Sequence, residues 1–259
     1  MNEQRVELRR EGAVAFIEIR RAERHNALDV RTAEALRDKC RELGREAGVR
    51  AIVLSGQGAS FGVGGDLNEL RAGGAAMARS IIEPLHEAAM LLAGMDAPVI
   101  AKLRGIVAGG SMSLALGCDL AIASEGTRFN FAYTNVGTTA DVGGSWHLPR
   151  IVGLRRAMQI ALLNEPIDAS QALALGLVNK VVPDDVLDAE VTALASTLAS
   201  GPTKAFGRMK RLLRQSGTRG LSDHLAVELE TFVDSAGTSD FVEAIEARLG
   251  KRPPRFAGA

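Results

Sequence analysis

Two glycine-rich segments are the places where main-chain atoms of this sequence could do chemistry. Residues 56–67 (GQGASFGVGGDL) directly follow the apolar residues 51–54, and residues 105–114 (GIVAGGSMSL) follow the run at 98–103. Glycine lets backbone N–H groups approach a ligand closely, and the start of a following helix adds N–H groups and a positive dipole end. Two such loops on neighbouring strands would each donate one N–H to a single carbonyl oxygen, forming an oxyanion hole. Either segment taken alone is equally compatible with a mobile turn.

Several competing motifs are absent from the sequence. Neither glycine segment has the third glycine of a dinucleotide fingerprint, and no Gly-Lys-Ser/Thr of a phosphate-binding Walker loop occurs. His25, His147 and His224 lie far apart without a histidine partner at i, i+4 or a cysteine pair, so we expect no metal site. Ser113 is not in the Gly-x-Ser-x-Gly elbow of a serine hydrolase.

Hydrophobic patterning predicts the elements that must position these segments. Short β-rich runs predict strands at residues 13–19, 51–54, 98–103, 120–123, 128–131 and 178–182. Apolar residues at helical spacing predict helices at residues 28–43, 76–95, 111–116, 154–163, 169–175, 186–198, 204–215 and 221–249. We therefore expect an α/β core at residues 1–200 and a C-terminal helical region at residues 201–259, with no low-complexity linker between them. Helical extensions of this kind often mediate oligomerisation.

Composition narrows the functional class. The 259 residues are 46% hydrophobic and 24% charged, which is the balance of a globular protein with a sizeable core. The formal net charge is zero, so no overall field draws the chain to nucleic acid or to an anionic membrane. Two cysteines are too few for a disulfide framework, and residues 1–10 are charged and lack the apolar core of a signal peptide. We expect a cytoplasmic protein.

Motifs spread over nearly the whole chain resemble the crotonase (enoyl-CoA hydratase/isomerase) superfamily. The motifs are RHNAL at residues 24–28, SFGVGGDL at 60–67, GIVAGG at 105–110, GCDLAIA at 117–123, GGSWHLPR at 143–150 and ALALGLV at 172–178. The resemblance implies a spiral of ββα units with a C-terminal helical trimerisation region, and hence a homotrimer or a dimer of trimers. It also implies an acyl-CoA thioester substrate whose carbonyl is polarised by the backbone N–H groups of Gly65 and Gly110. Coenzyme A would be part of the substrate, and no separate cofactor is implied.

The same resemblance implies where the rest of the substrate lies. Arg24 and Ala27 would border the adenine end of coenzyme A, and Val63, Asp66 and Leu67 would border the thioester. A basic run of Arg208, Lys210, Arg211 and Arg214 is either a solvated helix face or a contact to the 3′-phosphate of coenzyme A.

The residues around the expected site bear on the reaction. Family hydratases use two glutamates, and the present chain has Ser113 and Tyr133 at those places. Neither is a carboxylate base near neutral pH. Asp141 occupies the place where isomerase members carry one catalytic aspartate, and a single carboxylate can remove a proton from C2 and return it at C4. We expect Val136, Val142 and Trp146 to surround Asp141 and raise its pKa. The alternative to a catalytic role is a structural one, in which Asp141 caps a turn.

Two further functions stay open from the sequence. In the 4-chlorobenzoyl-CoA dehalogenase branch of the superfamily an aspartate at this place is a nucleophile, aided by a histidine and an indole N–H. Asp141, His86 and Tyr133 fall near the corresponding positions, with tyrosine in place of tryptophan. The third function is a non-catalytic acyl-CoA binder. The acyl group is either aliphatic or aromatic, since Phe61, Phe129, Phe131, Tyr133 and Trp146 are all predicted near the site.

Overall fold

The computed structural model describes residues 4–259, so the first three residues of the charged N-terminal stretch lie outside the described part of the chain. A six-stranded sheet runs in the order β1-β2-β3-β4-β6-β9. Its strands are β1 (Val6–Glu11), β2 (Val14–Ile19), β3 (Ala51–Gly56), β4 (Val99–Leu103), β6 (Leu120–Ser124) and β9 (Lys180–Val182). The β1–β2 pair is antiparallel and every later pair is parallel.

A second sheet has three strands in the order β5-β7-β8. They are β5 (Ile106–Ala108), β7 (Arg128–Asn130) and β8 (Ile167–Asp168). Successive turns of the chain place one strand in the large sheet and the next in the small one: β4 is followed by β5, and β6 by β7. This is the spiral of ββα units that the resemblance implied.

Ten α-helices complete the described fold. Those interleaved with the strands are α1 (Val30–Gly44), α2 (Leu67–Gly94), α3 (Gly109–Gly117), α4 (Gly144–Val152), α5 (Leu154–Leu163), α6 (Ala169–Ala174) and α7 (Leu187–Ala199). The C-terminal helices are α8 (Thr203–Ser216), α9 (Leu221–Ala236) and α10 (Ser239–Leu249). Within residues 4–259 no helix is both long enough and apolar enough to span a membrane.

The large sheet is buried on both faces, as the apolar run at residues 51–54 predicted. Ile52 and Leu54 of β3 belong to the larger core cluster, which includes residues of α1, α2 and α3. Ala51 and Val53 point the other way, into a smaller cluster with α7. Alternation along a strand sends neighbouring side chains to opposite faces, so a continuous apolar run is what a doubly covered strand requires.

Some elements differ from the prediction. β1 lies within the charged start and β5 lies within the second glycine segment, where neither strand was expected. β1 alternates core-facing Val6 with charged outward residues, as suits an edge strand with one wet face. Helix α2 begins at Leu67 rather than at residue 76, with a break at Gly74 (φ 54°). The predicted helix at 221–249 is two helices, because Thr238 caps a new one by accepting the Phe241 N–H at 3.2 Å.

Candidate active site

Strand β5 brings the two glycine segments together. Gly62 pairs with Val107 in an isolated bridge, in which the Gly62 N–H donates to Ile106 O at 3.0 Å and the Ala108 N–H donates to Gly62 O at 2.9 Å. The first segment therefore runs as a short extra strand beside β5, and it ends next to the start of α3. The contact that was expected between loops on neighbouring strands is present and is made by main-chain hydrogen bonds.

Gly64 and Gly110 are in direct backbone contact. Gly64 has φ +89°, and a Cβ placed on it would lie 3.1 Å from both Gly110 N and Ala108 O. The Gly65 N–H donates to no acceptor among residues 4–259. Gly110 is in the first turn of α3, where N–H groups lack an intrahelical acceptor. Two amides, those of Gly65 and Gly110, are thus available at the junction of the segments, and such a pair can bind one carbonyl oxygen.

Ser111 fixes the first segment onto this helix start. Its side chain is fully buried, and its Oγ accepts the Gly64 N–H at 3.1 Å. That bond sets the orientation of the backbone immediately before Gly65. Ser111 was not singled out from the sequence, although its place directly after Gly109 and Gly110 at a helix start was visible there.

The stretch at residues 24–28 lies against the first glycine segment. Leu28 N donates to Gly64 O at 2.8 Å, and the fully buried Asn26 donates through Nδ2 to Gln57 O and Ser60 O at 2.9 and 2.7 Å. Arg24 is exposed, whereas Ala27 is buried. Asn26 therefore fixes the course of the segment, while the Arg24 side chain faces solvent beside it.

The carboxylate of Asp66 is occupied by structural contacts. Its carboxylate caps α2 by accepting the Asn68 N–H at 2.9 Å, and it forms an ion pair with Arg21 at 2.7 Å. Burial raises the pKa of this carboxyl, but the Arg21 hydrogen bond and the backbone amides outweigh it and lower the pKa below its ordinary value. Nearby, Val63 is half-buried and Leu67 is exposed at the rim of the segment.

Asp141 lies directly over the Gly110 backbone. A Cβ placed on Gly110 would be 3.3 Å from Asp141 Oδ1. That oxygen accepts the Tyr133 hydroxyl at 2.5 Å, and the Tyr133 oxygen is 2.7 Å from Ser113 Oγ. Burial raises the pKa of Asp141, although the hydrogen bond from Tyr133 acts in the opposite direction. The adjacent turn is held by the main chain, since the Gly144 N–H donates to the carbonyl of Asp141 at 2.8 Å.

The residues predicted to surround the Asp141 carboxyl differ in how deeply they are buried. Val142 is buried, as expected, but Val136 is 54% exposed and Trp146 is 37% exposed. Trp146 packs under the Arg150 guanidinium at 4.0 Å, an alternative partner that the sequence did not reveal. Burial raises the pKa of Asp141 in the predicted direction, and of the three residues expected around the carboxyl only Val142 is itself buried.

His86 reaches the site from α2. Its Nε2 accepts the Val142 N–H at 3.1 Å. Val142 has φ +48°, a conformation that is rare for a β-branched residue and costs on the order of 1–3 kcal/mol. The hydrogen bond to His86 Nε2 therefore stabilises the strained backbone of Val142, the residue next to Asp141.

The basic run on α8 contacts the core. Lys210 Nζ is 2.7 Å from Asp119 and donates to Met95 O and Ala97 O, and Arg214 also pairs with Asp119 at 2.9 Å. Arg211 pairs with Asp96 at 2.7 Å, and Arg208 contacts Ser235. These contacts join α8 to the core and to α9, which the sequence did not predict, while Arg211 keeps a solvated side chain and the contact to a coenzyme A phosphate stays a prediction.

Comparison with known proteins places these features in one family. A family model described as Enoyl-CoA hydratase/isomerase matches residues 9–259. A Rhodobacter capsulatus protein named "Probable enoyl-CoA hydratase" is 36% identical over 245 residues, covering 95% of each chain. The 1,2-epoxyphenylacetyl-CoA isomerase of Escherichia coli is 32% identical, covering 96% of each chain. The 4-chlorobenzoyl coenzyme A dehalogenase-1 of an Arthrobacter species is 33% identical over 90% of this chain and 86% of that protein.

Solved structures agree with the sequence relatives. The crystal structure of an enoyl-CoA hydratase from Polaromonas sp. JS666 superposes with a TM-score of 0.92 and 31% identity, covering 97% of this chain and 99% of that one. The relatives thus include proteins named for three different reactions, so the choice among reactions depends on the side chains around Asp141.

Proposed function

The chain belongs to the enoyl-CoA hydratase/isomerase family, and within that family of acyl-CoA enzymes we propose that it moves a double bond from the Δ3 to the Δ2 position of an enoyl-CoA. One observation carries the choice of reaction. A single carboxylate, Asp141, lies over the Gly110 amide. Ser113 and Tyr133, which the resemblance implies stand at the places of the two hydratase glutamates, are hydrogen-bonded to each other.

The proposed reaction needs only these groups. The thioester oxygen accepts the N–H groups of Gly65 and Gly110, so that negative charge can develop on it. Asp141 removes a proton from C2, and the electron pair delocalises into a dienolate as the thioester carbonyl becomes C–O⁻. The double bond then re-forms between C2 and C3 as Asp141 returns the proton to C4. Its raised pKa suits this double duty, because the same group must accept and then release a proton.

Substrate contacts are proposed for the residues at the rim. Arg24 and Ala27 would contact the adenine end of coenzyme A, and Val63 and Leu67 would border the thioester. Asp66 acts here through the scaffold, since its carboxylate is occupied by Arg21 and by the start of α2. No metal ion or separate cofactor takes part in the proposed steps.

The dehalogenase alternative has support from one relative and from the meeting of Asp141, His86 and Tyr133. One contact favours isomerisation. His86 Nε2 already accepts the Val142 N–H, whereas a dehalogenase would need this histidine free to act as a base and an isomerase needs no histidine base.

Assembly into a homotrimer or a dimer of trimers is also a proposal. Helix α9 has no buried residue, and its exposed apolar side chains include Leu225, Leu229 and Phe232. An apolar helix face of this size is typical of a subunit contact. The cytoplasmic location stays a prediction from the sequence.

Assays of the parent protein, together with the variant Asp141→Asn, separate the three functions. For an isomerase, the variant loses turnover of a 3-enoyl-CoA by at least about 10²-fold, in line with loss of a general base, while still binding an acyl-CoA in calorimetry. Release of chloride from 4-chlorobenzoyl-CoA by the parent protein would instead support the dehalogenase. Binding without turnover of any thioester in the parent protein would support the acyl-CoA binder, and either result would reject the isomerase proposal.

A further inference from the structure

Three buried or half-buried side chains form a continuous hydrogen-bonded chain at the site. Ser113 of α3 is 2.7 Å from the Tyr133 hydroxyl, which is 2.5 Å from Asp141 Oδ1. Phe131 packs edge-on against the Tyr133 ring with centroids 5.0 Å apart. Ser113 is itself pressed against the Gly144 backbone, where a Cβ would collide with its hydroxyl. The ring and both hydroxyls are therefore confined by packing.

The direction of the protons follows from the chemistry of the groups. An ionised carboxylate only accepts hydrogen bonds, so Tyr133 must donate to Asp141. The phenol has one proton, which leaves its oxygen to accept from Ser113. A chain running from Ser113 through Tyr133 to Asp141 ends on the carboxylate, and its last hydrogen bond is stronger when the carboxylate is charged than when it is neutral.

We propose that Tyr133 is a positioning residue for Asp141: it holds one carboxylate oxygen over Gly110, favours the charged form that can take a proton, and leaves the other oxygen for the substrate. Ser113 directs the phenol proton toward the carboxylate. The inference deepens the proposed isomerase function and rests on it. It also gives a role to two side chains that stand where hydratases have glutamates.

Within residues 4–259, the titratable groups acting on Asp141 are Tyr133 and His86 of α2, while α3 contributes the uncharged Ser113. Burial and the nearby charge of Asp141 both raise the pKa of Tyr133 well above its ordinary value. The phenol therefore stays protonated, and remains a donor, across the working pH range.

The first test is Tyr133→Phe, which removes the hydroxyl and keeps the ring. Loss of a hydrogen bond to a charged group should move the acidic limb of the kcat/KM profile upward by about one to two pH units. Turnover should recover at higher pH, with little change in KM. Ser113→Ala should shift the limb in the same direction by less, because Tyr133 still donates. The surface variant Thr197→Ala, which also removes a hydroxyl, is the control.

A second readout does not depend on turnover, because Tyr133 is the only tyrosine in the chain. Tyrosinate absorbance followed against pH thus reports this residue alone. Tyr133 of the parent protein should ionise above the ordinary tyrosine range, and in Asp141→Asn it should ionise at lower pH than in the parent because the neighbouring charge is gone. Circular dichroism recorded over the same pH range restricts the comparison to folded protein.

The outcomes separate this inference from the proposed function. An acidic limb of Tyr133→Phe that superimposes on that of the parent overturns the positioning role, even if Asp141→Asn is inactive. Identical tyrosinate titrations of the parent and Asp141→Asn overturn the contact itself. Absence of isomerisation in the parent defeats the proposed function, and the tyrosinate titration still reports whether Tyr133 and Asp141 interact.

Discussion

Gly64→Ala is the substitution for which the structure predicts the sharpest separation of activity from stability. Gly64 has φ +89°, and an added Cβ would lie 3.1 Å from Gly110 N, one of the two proposed donors to the thioester oxygen. An alanine in left-handed conformation costs about 1–2 kcal/mol of folding stability. Displacing or covering one oxyanion donor costs about 10²- to 10³-fold in kcat. We therefore expect a modest loss of stability with a large loss of turnover.

The matched control is Gly12→Ala in the turn between β1 and β2. Gly12 has φ +58°, and a Cβ placed there meets no atom within 4 Å. Both variants should lose the free energy of unfolding that a left-handed alanine costs, and Gly64→Ala should lose somewhat more because its Cβ is crowded by Ala108 O and Gly110 N. Only Gly64→Ala should lose kcat with a 3-enoyl-CoA. Parent-like kcat in Gly64→Ala would refute the assignment of the Gly110 amide to the oxyanion hole. An equal loss of kcat in Gly12→Ala would attribute the effect to general destabilisation.

Three further substitutions test the supports of the site. Ser111→Ala leaves the Gly64 N–H without its buried acceptor, so we expect a loss of about 1–3 kcal/mol in urea unfolding and a fall in kcat at nearly unchanged KM. His86→Leu removes the acceptor of the strained Val142 N–H and should lower kcat roughly 10-fold, consistent with about 1.4 kcal/mol, while His86→Gln should recover most of it in the same assay. Asp141→Asn should raise the free energy of unfolding at pH 7. Because burial raises the folded-state pKa of Asp141, the parent loses stability as pH rises from the ordinary aspartate value through the raised one, and thermal unfolding of the Asn variant should lack that loss.

Much of the six-stranded sheet was predictable because several of its strands are short apolar runs in the sequence. The runs at residues 51–54, 98–103 and 120–123 became β3, β4 and β6, and each is largely buried. The glycine segments that follow two of these strands also carried a recognisable chemical signal. Strands of a parallel sheet covered on both faces have few polar residues to confuse the pattern.

Strand β5 was not predicted, because its sequence pattern is too short to be recognised. It has three residues, Ile106–Ala108, between glycines, and its pairing partners lie on β7 and at Gly62. No periodicity can be measured over three residues, so only tertiary context defines it. This strand joins the two glycine segments of the site. The sequence could therefore predict that the two segments meet, but not the main-chain hydrogen bonds through which they do so.

The surroundings of Asp141 were harder to predict, because they depend on packing between distant segments. Val136 and Trp146 are close to Asp141 in sequence but are partly exposed, whereas Ser113 and His86 come from other helices and bond to Tyr133 and to the Val142 N–H beside it. Sequence proximity is a poor guide to contacts in a loop, where the chain direction changes at residues such as Val142 with positive φ. The ion pairs of the basic run on α8 were not predicted for the same reason, since Asp119, the partner of Lys210, lies 91 residues before it.

The measurement that tests the proposed function most directly is incubation of the purified protein with a 3-enoyl-CoA and, separately, with crotonyl-CoA, following the absorbance of the conjugated enoyl thioester. Isomerisation through Asp141 predicts a rise with the 3-enoyl-CoA and no fall with crotonyl-CoA. A fall with crotonyl-CoA and no rise with the 3-enoyl-CoA would mean that the protein hydrates its substrate without a glutamate pair, and would contradict the role given to Asp141.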